Sequence, residues 1–343
     1  METCIKMGEE AIELAARLLK QGEIVAFPTE TVYGLGADVF QPEAIKKIYA
    51  AKGRPSDNPL IAHISSYEML ERVAVNVSRE VKKLMQAFWP GPLTVILQKR
   101  ENVPDAVCAG LPTIAVRMPK NEIALKIIEE ADTPIAAPSA NSSGKPSPTR
   151  AEHVFHDMRG KIPLIVEGGE CSVGVESTIV DLSVEVPTVL RPGIITPEEI
   201  QTVLGRVELD PTLLKKPAEG MRPKAPGMKY KHYSPNADVI VFQGEQAGNL
   251  LPYIQQHNKG KKVGVLCGVE KKAAYECQEI EVVLPIGHEG DAKTMCKGLY
   301  EGLRKMDEMG VDVIYAEALP IAGEGIAYMN RLLKAAGYCV IEI

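Results

Sequence analysis

Five prolines between positions 211 and 235 constrain this chain more than any other feature. Proline holds φ near about −65° and offers no backbone N–H, so no central strand or long helix can run through Pro211, Pro217, Pro223, Pro226 and Pro235. The chain must divide there. Its 343 residues, 45% of them hydrophobic, are enough for two cores. The expected organisation is a first domain over 1–205, a basic proline-rich linker over 206–236 and a smaller domain over 237–343. Charge follows the same division: the net −6 splits into −6, +4 and −4 over these three stretches. Only the linker is basic, which argues against nucleic-acid binding by bulk electrostatics.

Periodicity differs on the two sides. Before 205, short apolar runs at 23–27, 60–64, 93–97, 114–116, 135–137, 164–166, 178–180 and 188–190 read as strands broken by Gly/Pro turns. An amphipathic helix over 9–20 stops at Gly22, and a second over 41–50 starts with Pro42 just inside. The fold class is α/β, with a large twisted mixed sheet. After 237, strand and helix alternate (239–242, 250–257, 263–267, 282–284, 293–309, 313–316, 326–336), the pattern of a compact doubly wound, Rossmann-like α/β domain.

Apolar runs such as 238–242 and 262–267 are far shorter than the roughly 20 residues of a membrane span. The first 21 residues carry five charges before Arg17 and do not read as a signal peptide. Seven cysteines, none in a C-x-x-C pair, point to a reducing cytoplasm and no structural metal. A soluble cytoplasmic protein is expected.

The chemistry sits in polar, Gly/Pro-rich strings at the ends of the apolar runs. Gly34-Leu35-Gly36 lacks the third glycine of a dinucleotide loop and reads as a turn; Gly144-Lys145 is followed by Pro146, not by the Ser or Thr of a P-loop. Any nucleotide is held another way. Lys52 and Arg54 stand two apart, as do Ser139 and Asn141, and in extended backbone each pair points to one side. Two cations facing a hydroxyl and an amide suit a polyphosphate, although Lys52 and Arg54 also suit a helix C-terminus. Arg117 interrupts an apolar strand, so its guanidinium must meet a carboxylate or a phosphate. His63, alone in a strand, reads as a hydrogen-bonded core residue. Ser177 and Arg191 fit turn capping as well as a site. No Ser-His-Asp order or Cys-His pairing marks a covalent nucleophile.

The strings KGRPSDNPL and APSANSSGKPSPT, flanked in order by PTETVYGLG, VRMP, VESTIVD and LRPG, resemble the Sua5/YrdC family of threonylcarbamoyl-adenylate synthases over residues 7–205. APGMKYKHYSP and the C-terminal GEGIAYMNRLLKAAG extend the likeness to the two-domain Sua5 type, so the resemblance implies a YrdC-like sheet followed by the Sua5 C-terminal α/β domain. Ala225 departs from the serine that other members often carry before Pro-Gly. The implied activity is that of a nucleotidyltransferase: L-threonine, bicarbonate and ATP give threonylcarbamoyl-AMP and pyrophosphate, for threonylcarbamoyladenosine formation in tRNA processing. Mg²⁺ is carried mainly on the ATP phosphates.

By the same resemblance Thr31, His63, Arg117, Ala137 and Ser177 line the threonine pocket. Lys52, Arg54, Asn58, Thr113, Ser139, Asn141, Ser147, Arg191 and Tyr233 meet ATP, with Lys52 and Arg54 in the catalytic role. The product passes to the tRNA threonylcarbamoyl-transferase machinery. Alternatives are a carbamoyl-adenylate-forming enzyme, whose zinc-type cysteine pairs are missing here, and a double-stranded RNA or tRNA-binding module, to which an acidic first domain gives only the linker and pocket for weak tRNA binding. The linker's prolines and positive charge suggest a lid over bound ATP. Limited proteolysis between 215 and 231 should slow when ATP and threonine are added; an unchanged cutting rate would refute the lid.

Overall fold

The computed structural model describes residues 2–215, 223–226, 232–243, 250–258, 260–276 and 279–343. Of the expected lid, residues 216–222 and 227–231 lie outside the described residues. The chain forms two compact units. One comprises Met1–Ser143, Ser147–Leu213 and Pro217–Lys229, the other Gly144–Pro146, Leu214–Lys216 and Tyr230–Ile343.

The first unit is built on a 12-stranded mixed sheet. Its central order runs Gly34–Asp38, Ile135–Ala136, Ile61–His63, Thr113–Arg117, Leu93–Lys99, Thr178–Asp181, Thr188–Arg191. Ile61–His63 and Thr113–Arg117 are parallel, with His63 opposite Arg117. Leu93–Lys99 runs antiparallel to Thr113–Arg117 and parallel to Thr178–Asp181, with Thr94 opposite Ile179. Ile179 in turn stands opposite Arg191. Because residues directly opposite in a ladder share a face, His63 and Arg117 point to the same side of the sheet. On the central strands, buried Ile61, Ile96, Ala115, Ile179 and Leu190 form an apolar cluster, and Ala225 of the proline-rich segment closes it.

Two helices show how local sequence sets positions that matter below. Glu9–Lys20 buries Ala11, Ile12, Ala15, Ala16 and Leu19 on one face, with acids in its first turn and bases in its last. Pro42–Lys52 starts with proline at its first turn and ends at Gly53, whose φ of 62° is the left-handed conformation glycine adopts without strain. This stop corrects one expectation: Lys52 and Arg54 do not share an extended backbone, because the helix ends between them.

Gly34-Leu35-Gly36 is also not a turn. It begins the strand Gly34–Asp38, antiparallel to Val25–Phe27 on one side and to Ile135–Ala136 on the other. Its glycines are there for space: a Cβ on Gly36 would lie 2.6 Å from Phe27 Cε1 and 2.8 Å from Ile135 Cγ2.

The second unit is a five-stranded parallel sheet ordered Val282–Gly287, Val263–Gly268, Val313–Glu317, Asp238–Gln243, Val340–Glu342. Its helices include Ala292–Glu308, whose N-terminus is capped by the Asp291 carboxylate accepting from Lys293 N and Thr294 N. The mixed sheet and the parallel Rossmann-like sheet agree with the expected fold class.

Phe27 and Ile135 are fully buried, so a methyl group at Gly36 overpacks a rigid core. Gly36→Ala should lower stability by about 1–3 kcal/mol in urea unfolding; a wild-type midpoint would refute the packing argument.

Candidate active site

Arg117 is the most demanding residue of the first unit, since its guanidinium is buried at the end of a strand. Nε donates to Gly91 O at 3.3 Å and Nη1 to Thr31 Oγ1 at 2.8 Å. Nη2 stands 2.7 Å from Glu30 Oε1. This last contact is an ion pair lying off the line of a hydrogen bond, so among the described residues neither Glu30 oxygen has a hydrogen-bond partner. The turn that carries Thr31 is rigid: Thr29 Oγ1 donates to Val32 O at 2.7 Å and accepts from Thr31 N and Val32 N, both at 3.2 Å.

His63 lies beside Arg117, and its Nδ1 meets Ile61 O at 3.2 Å, a carbonyl that can only accept. Burial pushes its pKa down from 6.5 to about 3, and the Arg117 charge adds to the effect; the carbonyls of Ile61 and Ile135 oppose it, and the Arg191 charge lowers it further. The ring is therefore neutral at physiological pH.

Arg191 is the second buried guanidinium. Nε donates to Ser177 O at 3.0 Å, Nη2 to Ser177 Oγ at 3.2 Å, and Nη1 to Pro226 O at 3.4 Å. Ser177 Oγ also shares a 2.7 Å hydrogen bond with Thr94 Oγ1. The loop after Ile135–Ala136 supplies the opposite wall. Ala137 N donates to Ile61 O at 2.9 Å, and Ser139 Oγ donates to Asn141 Oδ1 at 2.5 Å. Lys52 reaches this loop from its helix end and donates to Ser139 O at 2.5 Å, Asn141 O at 2.6 Å and Asn141 Oδ1 at 3.4 Å. Arg54 turns the other way, and its Nη2 donates to Asn58 O at 3.2 Å and Pro59 O at 3.1 Å. Asn58 has no exposed surface, yet neither its Nδ2 nor its Oδ1 has a partner among the described residues. A buried amide left in that state points to a missing polar ligand. Ser147 donates to Glu176 Oε1 at 2.5 Å, both groups buried. Thr113, half-buried, opens the strand that Arg117 closes.

Most of the expected residues are thus linked. Lys52, Ser139 and Asn141 form one hydrogen-bonded group; Ser177 and Arg191 form a second with Thr94; Thr31 and Arg117 form a third with Glu30. His63 feels both guanidinium charges. Tyr233 belongs to the second unit, where its ring lies 5.3 Å from that of Tyr300 and the Arg331 guanidinium sits 5.7 Å over it. Sequence reasoning missed Glu30, Thr94, Glu176 and Pro226. The available signal was for Glu30: a buried Arg117 demanded an anion, and PTET carries one.

The model of the Sua5, YciO and YrdC family, described as "Telomere recombination", matches residues 17–193, and that described as "Threonylcarbamoyl-AMP synthase, C-terminal domain" matches 195–337. The chain belongs to the Sua5/YrdC family. It is 47% identical over 339 residues to a protein of Pyrococcus abyssi named threonylcarbamoyl-AMP synthase, covering 98% of this chain and 97% of that one. A Bacillus subtilis protein of the same name is 47% identical over 341 residues, 98% of this chain and 96% of that one. The crystal structure of P. abyssi Sua5 complexed with L-threonine superposes with a TM-score of 0.91 at 45% identity, covering all of both chains. Membership of the two-domain Sua5 type, expected from the motifs, stands.

The neutral state of His63 has a thermodynamic consequence. Below pH 6.5 the unfolded chain takes up a proton that folded His63 refuses, so its contribution to stability, full above 6.5, falls as the pH drops towards 3. Between pH 7 and pH 5 the wild-type protein should lose about 2 kcal/mol more stability than His63→Gln. Equal losses in urea titrations at the two pH values would overturn this assignment.

Proposed function

We propose that this chain is an L-threonylcarbamoyladenylate synthase, a nucleotidyltransferase that joins L-threonine and bicarbonate to the AMP part of ATP and releases pyrophosphate. The observation that carries the reading is the contact between Arg191 and Ser177. In the proposed assignment Arg191 holds the nucleotide and Ser177 the threonine, so the two substrates meet where these side chains touch. Arg117 clamps the threonine carboxylate, with Thr31, neutral His63 and the backbone of Ala137 around the rest of the amino acid. Thr113 and Arg117 stand on one face of a single strand, about 13 Å apart by the usual rise per residue, and so separate the nucleotide and amino-acid ends.

Asn58 gives the nucleotide its orphaned amide, and Arg54, Ser139, Asn141 and Ser147 line its path. Lys52 fixes the Ser139–Asn141 loop and keeps its charge beside it. The residues' chemistry is positioning and charge neutralisation: the deprotonated threonine amine condenses with bicarbonate to a carbamate with loss of water, a carbamate oxygen attacks the α-phosphorus in line, and pyrophosphate leaves. Among the described residues no three of His, Cys, Asp and Glu stand together as a metal site. Mg²⁺ would be held mainly through the ATP phosphate oxygens and would supply charge neutralisation to the leaving group. Tyr233 is assigned to the nucleotide by the resemblance of its HYSP motif. The product is assigned to tRNA threonylcarbamoylation, with the cytoplasm as the compartment. Among the described residues no helix is long and apolar enough to cross a membrane.

Pyrophosphate release from ATP and bicarbonate should require L-threonine and fall about 10²-fold in kcat/KM for Arg54→Ala, the usual loss when a cation facing a transition-state charge is removed. Release without threonine, or full activity in Arg54→Ala, would sink the assignment.

A further inference from the structure

Glu30 has no part in the reaction as read so far, yet it is the carboxylate that touches the Arg117 guanidinium. Its backbone is fixed: Val173 N donates to Glu30 O at 2.8 Å, and Gly174 N donates to Thr31 O at 3.1 Å. Its side chain is 9% exposed. A carboxylate offers about four acceptor positions, and Arg usually binds one through two parallel hydrogen bonds. Here a single oxygen lies 2.7 Å from Nη2, off the hydrogen-bond line, and Oε2 has no partner among the described residues. Burying a carboxylate with so little compensation is expensive unless a further donor arrives.

We propose that this donor is the α-ammonium group of the substrate, making Glu30 a specificity-determining residue that selects an amino acid over the corresponding hydroxy acid. The inference rests on reading Arg117 as the clamp for the substrate carboxylate. In an α-amino acid the nitrogen is two bonds from the carboxyl carbon. A carboxylate on Arg117 therefore brings a positive ammonium close to a positive guanidinium, where the desolvated pocket gives their repulsion full weight. A carboxylate in contact with both removes that repulsion. Glu30 has the position, the charge and the unused oxygen. Four charges then alternate around the pocket: guanidinium, substrate carboxylate, substrate ammonium and Glu30. The hydroxyl partners of the pocket, Thr31 and Ser177, carry no charge and cannot play this part.

Titration calorimetry of the full chain with L-threonine and with 3-hydroxybutyrate, which keeps the carboxylate and hydroxyl but lacks the amine, tests the proposal at pH 7. The wild-type protein should prefer threonine, and Glu30→Gln should weaken threonine about 10- to 100-fold, the usual range for a charge-assisted hydrogen bond. Binding of 3-hydroxybutyrate should stay within about 3-fold, which also shows that the variant is folded and that Arg117 still works. Equal weakening of both ligands would mean that Glu30 acts only by holding Arg117, and would overturn the proposal, as would unchanged threonine binding. Wild-type protein that binds neither ligand would instead bring down the reading of the pocket itself. If Glu30→Gln does not fold, Glu30→Asp decides: the shorter carboxylate should narrow the preference for threonine, and an undiminished preference refutes the proposal.

Discussion

The buried guanidinium of Arg117 is the constraint around which the first unit is organised. An arginine at the end of an interior strand must have its charge balanced and its N–H groups bound, and two pieces of chain meet these requirements. Gly91, just before the neighbouring strand, presents a carbonyl; the Thr29–Val32 turn presents a hydroxyl; Glu30 presents the counter-charge. Those two segments, the one at Gly91 and the Thr29–Val32 turn that carries both the hydroxyl and Glu30, are thereby held at one place on the sheet rim. His63, next to Arg117 in the ladder, inherits the field and stays neutral. Removing the arginine would leave a buried carboxylate unpaired, so the pair behaves as a unit even if its net contribution to stability is small.

Lys52 does for the loop after Ile135–Ala136 what Arg117 does for the strand ends. Its ammonium meets two backbone carbonyls and the Asn141 side chain, which ties a Gly/Ser-rich segment with few apolar anchors to the end of a helix. The geometry depends on Gly53. A left-handed residue stops the helix there, leaving Lys52 on the last turn while the chain swings Arg54 towards Asn58 and Pro59. Two cations with one glycine between them thus serve two different loops, a division that no spacing rule for extended backbone contains.

This is where the sequence was readable and where it was not. Strands announced by β-branched runs, such as Thr113–Arg117 and Leu164–Val166, lie where periodicity puts them, and the alternating elements after 237 differ from expectation mostly at their ends. Gly34–Asp38 was hidden because its glycines answer to the Phe27 ring, a tertiary demand that local propensity cannot register. The helices Arg79–Phe88 and Glu122–Ala131 were also missed, although Ser78 and Asn121 cap them with the side chains such positions favour. In the site, the need of Arg117 for an anion was legible, but its identity was not. Glu30 is 87 residues away in the chain, and only the antiparallel and parallel pairings of the sheet bring it near.

The segment after the first proline pair links the site to the stretch that divides the chain. Ala225 is fully buried against Ile61, Ala115 and Ile179, and Pro226 O accepts from the same Arg191 that holds Ser177. Lys224 approaches Asp181 at 3.9 Å. The small apolar side chain at 225 suits an apolar cluster better than a hydroxyl would, since a serine there would need a buried partner of its own. An apolar anchor and a carbonyl on the Arg191 guanidinium give the proline-rich segment two handles on this face of the sheet. Any displacement of residues 223–226 must therefore uncover the apolar row and release one donor of Arg191 together, so that the state of the segment and the orientation of that guanidinium are coupled by contact.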